Sequence, residues 1–182
     1  MVYYRDKELI IRDMIPADAR AITDGEIAQG WRQTIEKYEL RLRDQRDGKC
    51  VALVAEYEGE AAGYIHVYPN SDDGPFAGMG YPEIIDFGVL EKFRRKGIGS
   101  RLMDVAETAA AGYAGTVFLC VGLHSGYGSA QRMYAIRGYV PDGSGAWYNG
   151  RALEPGAACQ NDDELVLYMS KSFYNYFFAY CL

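Results

Sequence analysis

Ile84-Ile85-Asp86-Phe87-Gly88-Val89-Leu90-Glu91-Lys92-Phe93-Arg94-Arg95-Lys96-Gly97-Ile98-Gly99-Ser100 is the most informative stretch of the chain. Residues 83–90 read as a strand. A basic turn follows, and two glycines then open a helix over residues 97–113, where Ile98, Leu102, Val105, Ala106, Ala109 and Tyr113 form one apolar stripe. Glycine lets a backbone approach a ligand closely and adopt strained dihedrals. The first N–H groups of a helix have no partner within it, and the helix dipole adds partial positive charge there. Together these make an anion site, and phosphate is the usual anion. Arg94, Arg95 and Lys96 add fixed positive charge. The plainer alternative is a basic surface turn with a glycine-rich helix start. A P-loop is excluded because Lys96 precedes the glycines. A dinucleotide fingerprint is excluded because position 102 is Leu, where its third glycine would stand, and because this loop follows a fourth strand rather than a first.

The local basicity stands out against an acidic chain. Across 182 residues, 19 Lys and Arg face 25 Asp and Glu, a formal charge of −6. That balance gives no long-range attraction to a phosphate backbone and argues against a nucleic-acid reader. Hydrophobic residues make up 49%, enough for one sizeable core. No apolar run approaches the ~20 residues of a membrane span, and the first thirteen residues lack a signal-peptide core. Cysteines at 50, 120, 159 and 181 are too scattered for a zinc pair or a dense disulfide framework, and two histidines cannot build a His-rich metal site. The expectation is one cytoplasmic domain over residues 1–182 with no metal, no nucleic-acid partner and no membrane partner.

Outward from the glycine loop, alternation and helical spacing give the remaining elements. A strand is expected at 9–14, a helix starting at Pro16, a second helix at 31–46, and strands at 50–57 and 63–68. A strand at 116–123, a short helix at 129–137 and a last strand at 165–169 follow. Glycine and proline mark 69–82 as loop, and glycine, Asn and Asp mark 141–161 likewise. Meander strands followed by alternating strands and helices predict an α/β (α+β-like) fold, a mixed sheet with helices on both faces. The aromatic tail, 172–182, predicts an interface, expected to be that of a homodimer, with packing on the chain's own sheet as the alternative.

Arg94-Arg95-Lys96-Gly97-Ile98-Gly99 resembles the [QR]-x-x-G-x-[GA] signature of the GNAT superfamily of N-acetyltransferases. Residues 85–89 look like the strand that leads into it. A second stretch, Ala130-Gln131-Arg132-Met133-Tyr134-Ala135-Ile136-Arg137-Gly138-Tyr139, is similar to the family's N-x-x-A-x-x-x-Y-x-x-x-G-[FY]. Ala130, Tyr134, Gly138 and Tyr139 fall on that pattern, while its Asn position is Tyr127 here. The resemblance covers about residues 8–171. It implies a central, mostly antiparallel mixed sheet with a splayed pair of strands, and acetyl-CoA as cosubstrate. It further implies that Phe87 and Val89 carry the pantetheine contacts. Arg94, Lys96, Gly97, Gly99 and Ser100 would hold the pyrophosphate, with Arg95 nearby, and Ser129 or a backbone group would replace the missing Asn contact.

The chemistry of amine acetylation assigns further roles. An amine attacking a thioester expels a thiolate, and a phenol of pKa near ~10 is matched to protonate it. The resemblance implies that Tyr134, on the family's tyrosine position, is that acid, against the alternative of one more packed tyrosine. A base must take the amine's proton. Glu83 is preferred because, counting by twos, it shares a strand face with Phe87 and Val89. The alternative is that Glu83 is a surface carboxylate. His124 is either a proton relay or a local loop cap. Glu26, Trp31, Asp142, Trp147 and Tyr148 are candidates for the acceptor pocket, Glu26 for an ammonium and Trp31 as an aromatic wall, although Trp31 packing a helix junction is the stronger reading. The expected activity is transfer of acetyl from acetyl-CoA to a primary amine of a small molecule by direct attack. The alternative is a non-catalytic acyl-CoA-binding module.

Overall fold

A computed structural model describes residues 1–173. The chain forms two compact units, Met1–Pro69 with Ile84–Gly112, and Asn70–Glu83 with the residues from Tyr113 onward.

The first unit is built on β1 (Val2–Arg5), β2 (Leu9–Asp13), β3 (Val51–Tyr57), β4 (Glu60–Tyr68) and β5 (Glu83–Val89), in that spatial order. β1 to β4 pair antiparallel, with Leu53 opposite Ile65 and Ile11 opposite Ala55. The helices are α1 (Pro16–Ala28), α2 (Ile35–Arg46) and α3 (Ile98–Ala111). Pro16 starts α1, where its missing N–H costs nothing. Asp18 accepts from the Ile15 N–H at 2.8 Å and is itself held by Arg12 at 2.7 and 2.9 Å. Met14, Ala19, Ile22 and Tyr38 pack with Ala52, Val54 and Tyr64 into one core. α3 packs against β3 and β4 through Ile98, Leu102 and Met103. Tyr113, expected on its stripe, lies past the helix end and is exposed.

A polar pair is set inside the first core. Glu26 is fully buried and accepts from the Tyr38 hydroxyl at 2.6 Å and from the Tyr64 hydroxyl. Removing the acceptor strands two buried donors, at ~1–3 kcal/mol each. Glu26→Leu is therefore expected to lower unfolding stability by about 3 kcal/mol in urea titrations. An unchanged midpoint would contradict this.

The second unit holds β6 (Thr116–Gly122), β7 (Val140–Tyr148), β8 (Arg151–Ala152) and β9 (Leu165–Ser172), with α4 (Gly128–Ile136). Its strand order is β6-β9-β7-β8, all antiparallel. Glu83, which belongs to this second unit although it is the first residue of β5, pairs parallel with Phe118 of β6. The mixed, mostly antiparallel α/β class expected from the sequence is what forms.

Three expectations need correction. Val2–Arg5 forms a strand because its backbone finds Ile10, Ile11 and Arg12 across a tight turn. The second helix begins at Ile35, not at 31. Val140–Tyr148, expected to be loop, is a strand paired with β9, and its register shifts between Pro141 and Ala146. The glycines there supply the irregularity, while pairing partners distant in sequence decide the strand. Of the aromatic tail, only Ser172 and Phe173 lie within the described residues, and the Phe173 N–H donates to Gly115. The interface expected of the rest falls outside them.

Candidate active site

In the first unit, β5 delivers the chain to α3 through a short turn. Leu90 and Phe93 are buried and pin this turn from inside, leaving Arg94, Arg95 and Lys96 outside. Arg95 and Gly97 both take left-handed backbone, with φ of 62° and 77°. Gly97 is the N-cap of α3, and no side chain caps the helix there. Its left-handed conformation is one that glycine adopts without the steric cost of a Cβ. The helix thus starts at a residue with no side chain of its own to cap it, beside three basic residues, and such a helix start suits a pyrophosphate. The Arg94 guanidinium donates to the Val89 carbonyl at 3.3 Å, pairs with Glu91 at 3.2 Å, and sits 5.8 Å from the Trp31 ring. The Lys96 ammonium lies 4.4 Å from the Tyr57 ring centroid. Trp31 therefore stands by the basic loop.

Phe87 and Val89 turn their side chains toward the start of α3. A Cβ on Gly99 would meet Phe87 at 3.1 Å and Val89 at 3.6 Å, so glycine is what lets helix and strand close up. The structure thus brings Phe87 and Val89 against Gly99, two residues after the N-cap Gly97.

The face count used to choose Glu83 does not survive. Asp86 takes left-handed backbone, φ 51°, in the middle of β5. A left-handed residue breaks the alternation of a strand, so residues before and after it cannot be counted by twos. Asp86 itself pairs with Arg41 at 2.7 Å and Lys37 at 3.2 Å. Burial would raise its carboxyl, but Lys37, His66 and Arg41 outweigh that and hold it below the usual range. Glu26, expected at an acceptor wall, is wholly inside the core on its two tyrosines.

In the second unit, Tyr134 is buried on α4, its ring 5.8 Å from Tyr139. Burial first, then the charges of Cys120 and Tyr127, push its phenol above the ordinary value. Ser129 is exposed at the start of α4. His124 acts as a loop cap: Nδ1 accepts from the Gly126 N–H at 3.1 Å, and Nε2 lies 2.9 Å from Asp163. Tyr127, standing at the family's Asn position, donates to the same carboxylate at 3.0 Å. Trp147 stacks edge-on against Tyr168 at 5.2 Å and donates to Ser144 at 2.7 Å. Tyr168 packs with Phe76 and Phe118, and Tyr81 and Val166 flank them. Burial raises the Tyr168 phenol, and Cys120, Glu83, Asp73 and Asp142 add to the shift. Trp147 thus packs on a tyrosine that the sequence reading did not single out, and Glu83 and Asp142 act on the same phenol electrostatically. One Asp142 carboxylate oxygen is buried with no hydrogen-bond partner.

Among the described residues, no group of three or more His, Cys, Asp or Glu side chains could hold a metal ion, and no helix is long and apolar enough to cross a membrane.

The family model described as the Acetyltransferase (GNAT) family matches residues 19–139. The chain belongs to that family of acetyltransferases. No curated protein matches it by sequence. Among solved structures it is similar to Ard1 from Thermoplasma volcanium, at TM-score 0.67 and 20% identity, covering 93% of this chain and 100% of that one. It is also similar to Naa50 of Arabidopsis thaliana in complex with the bisubstrate analogue CoA-Ac-MVNAL, at TM-score 0.60, 16% identity, and 92% and 100% coverage. A third similar structure is a spermidine N-acetyltransferase chimera from Vibrio cholerae SpeG and hSSAT, at TM-score 0.64, 14% identity, and 92% and 96% coverage. At these identities the likeness is one of fold.

Proposed function

We propose that the protein transfers acetyl from acetyl-CoA to a primary amine of a small molecule, by direct attack in a ternary complex. The observation that carries this reading is the start of α3: a left-handed glycine N-cap with Arg94, Arg95 and Lys96 beside it. The family model runs through both units, which supports treating residues 1–182 as one functional domain. A cytoplasmic location and a homodimer belong to the same proposal.

Acetyl-CoA supplies an activated thioester whose sulfur leaves as a thiolate. The N–H groups at the start of α3 hold the pyrophosphate, aided by Arg94, Arg95, Lys96 and Ser100. Phe87 and Val89 carry pantetheine through their main chain, their side chains being turned to α3. Ser129 adds a hydroxyl to that arm. Backbone N–H groups of β5 polarise the carbonyl. The amine nitrogen bonds to the carbonyl carbon as the carbon–sulfur bond breaks. Glu83, buried at the start of β5 rather than on the surface, accepts the amine's proton, and Tyr134 gives its phenolic proton to the sulfur. Asp142 and Trp147, with Tyr168, line the acceptor side, and the surplus of carboxylates there favours a cationic amine.

The test is incubation with acetyl-CoA and a panel of amino acids, peptides, polyamines and aminoglycosides, with products read by mass spectrometry. Acetylation of one amine class is expected. Tight CoA binding with no acetylated product would instead favour a binding module.

A further inference from the structure

Asp86 is the one residue within a strand of the first unit to which the structure assigns left-handed backbone, φ 51°. A residue with a Cβ pays ~1–3 kcal/mol there and persists only where its surroundings over-determine it. Those surroundings are on α2. Lys37 and Arg41 stand one helical turn apart, on the same face, and reach different oxygens of the Asp86 carboxylate, at 3.2 and 2.7 Å. Arg41 is itself fixed by donating to the Tyr68 hydroxyl at 2.8 Å, and that hydroxyl donates to Asp44 at 2.5 Å. All three charged side chains are mostly buried, with exposures of 18% for Asp86, 17% for Arg41 and 27% for Lys37.

The segment after the break is gripped on both faces. A Cβ on Gly88 would stand 2.6 Å from the Tyr64 ring and hydroxyl, so Tyr64 presses on the backbone there. Phe87 and Val89 seat against Gly99 at the start of α3. A one-residue change in the alternation of a strand moves every later side chain to the opposite face. If Asp86 relaxed to ordinary extended backbone, Phe87 and Val89 would leave α3, and the basic loop they lead into would shift with them.

We propose that Asp86, gripped by Lys37 and Arg41, is a positioning residue: the ion pair holds the left-handed break in β5 and thereby sets the backbone that receives the cosubstrate. The inference rests on the acetyl-CoA reading given above. It makes a distinctive claim about glycine, which takes positive φ at no steric cost and needs no ion pair to stay there.

The experiment is CoA calorimetry and thermal melting on the full chain, comparing wild type with Asp86→Ala, Asp86→Gly, Arg41→Met and Arg41→Met combined with Asp86→Gly. Asp86→Ala is expected to weaken CoA binding about tenfold, whereas Asp86→Gly stays within about threefold of wild type even though it melts lower. Arg41→Met is expected to weaken binding in the Asp86 background and to have no effect on it in the glycine background. Glycine binding as weakly as alanine, both binding like wild type, or an equal Arg41→Met effect in both backgrounds would overturn the proposal. If the alanine variant does not fold, the Arg41→Met comparison across the two backgrounds decides. Wild type that binds no CoA would overturn the acetyl-CoA reading itself, an outcome separate from wild type that binds with variants that behave alike.

Discussion

Tyr134→Phe is expected to lower kcat by about a hundredfold or more, with CoA affinity held within about threefold. The substitution removes one oxygen from a buried ring and keeps its packing against Tyr139. What is lost is the proton that the departing thiolate needs. Burial and the neighbouring Cys120 and Tyr127 disfavour the phenolate, so the phenol keeps its proton through the neutral and mildly alkaline range. The sign of the shift fixes the pH profile as well. An acid whose pKa is raised stays able to donate, so wild-type kcat has no alkaline fall from this group up to about pH 10. Steady-state kinetics across pH on both proteins checks the two points. Equal kcat in wild type and Tyr134→Phe would remove Tyr134 from the mechanism.

Gly97→Val is expected to weaken CoA binding by about tenfold to a hundredfold while leaving the fold intact. Nothing lies within 4 Å of a Cβ built on Gly97, so the cost is conformational and not steric crowding by neighbours. A β-branched residue at φ 77° costs ~1–3 kcal/mol, and the chain escapes by moving the N-cap. Moving the cap re-aims the first N–H groups of α3, which are the donors proposed to hold the pyrophosphate. Calorimetry with CoA measures the loss, and far-ultraviolet circular dichroism confirms that α3 persists. Unchanged affinity would mean that these donors do not hold the cosubstrate.

The strand, turn and helix start were legible in the sequence because their parts are local. A strand, a basic turn and two glycines within seventeen residues specify the β5–α3 junction that forms, with Gly97 at the N-cap of α3 and Gly99 against Phe87 and Val89. Sequence reading failed where distant residues decide. The break at Asp86 depends on Lys37 and Arg41, some forty-five residues earlier, and no period-two count could reveal it. Glu26 read as an acceptor-pocket carboxylate because its partners, Tyr38 and Tyr64, come from another helix and a strand. Val140–Tyr148 read as a loop because its glycines outweigh its weak alternation, and pairing with β9 supplies what the local pattern lacks. Tyr168 was hidden among 16 tyrosines, and only packing shows that Trp147, Phe118 and Phe76 surround it.

Calorimetric titration of CoA into the wild-type chain tests the role of the α3 helix start most directly. Saturable binding at one site, weakened by added pyrophosphate and by Gly97→Val, is the predicted result. No heat of binding at any concentration tried, with the protein folded by circular dichroism, would contradict the assignment of the glycine loop as the acetyl-CoA site.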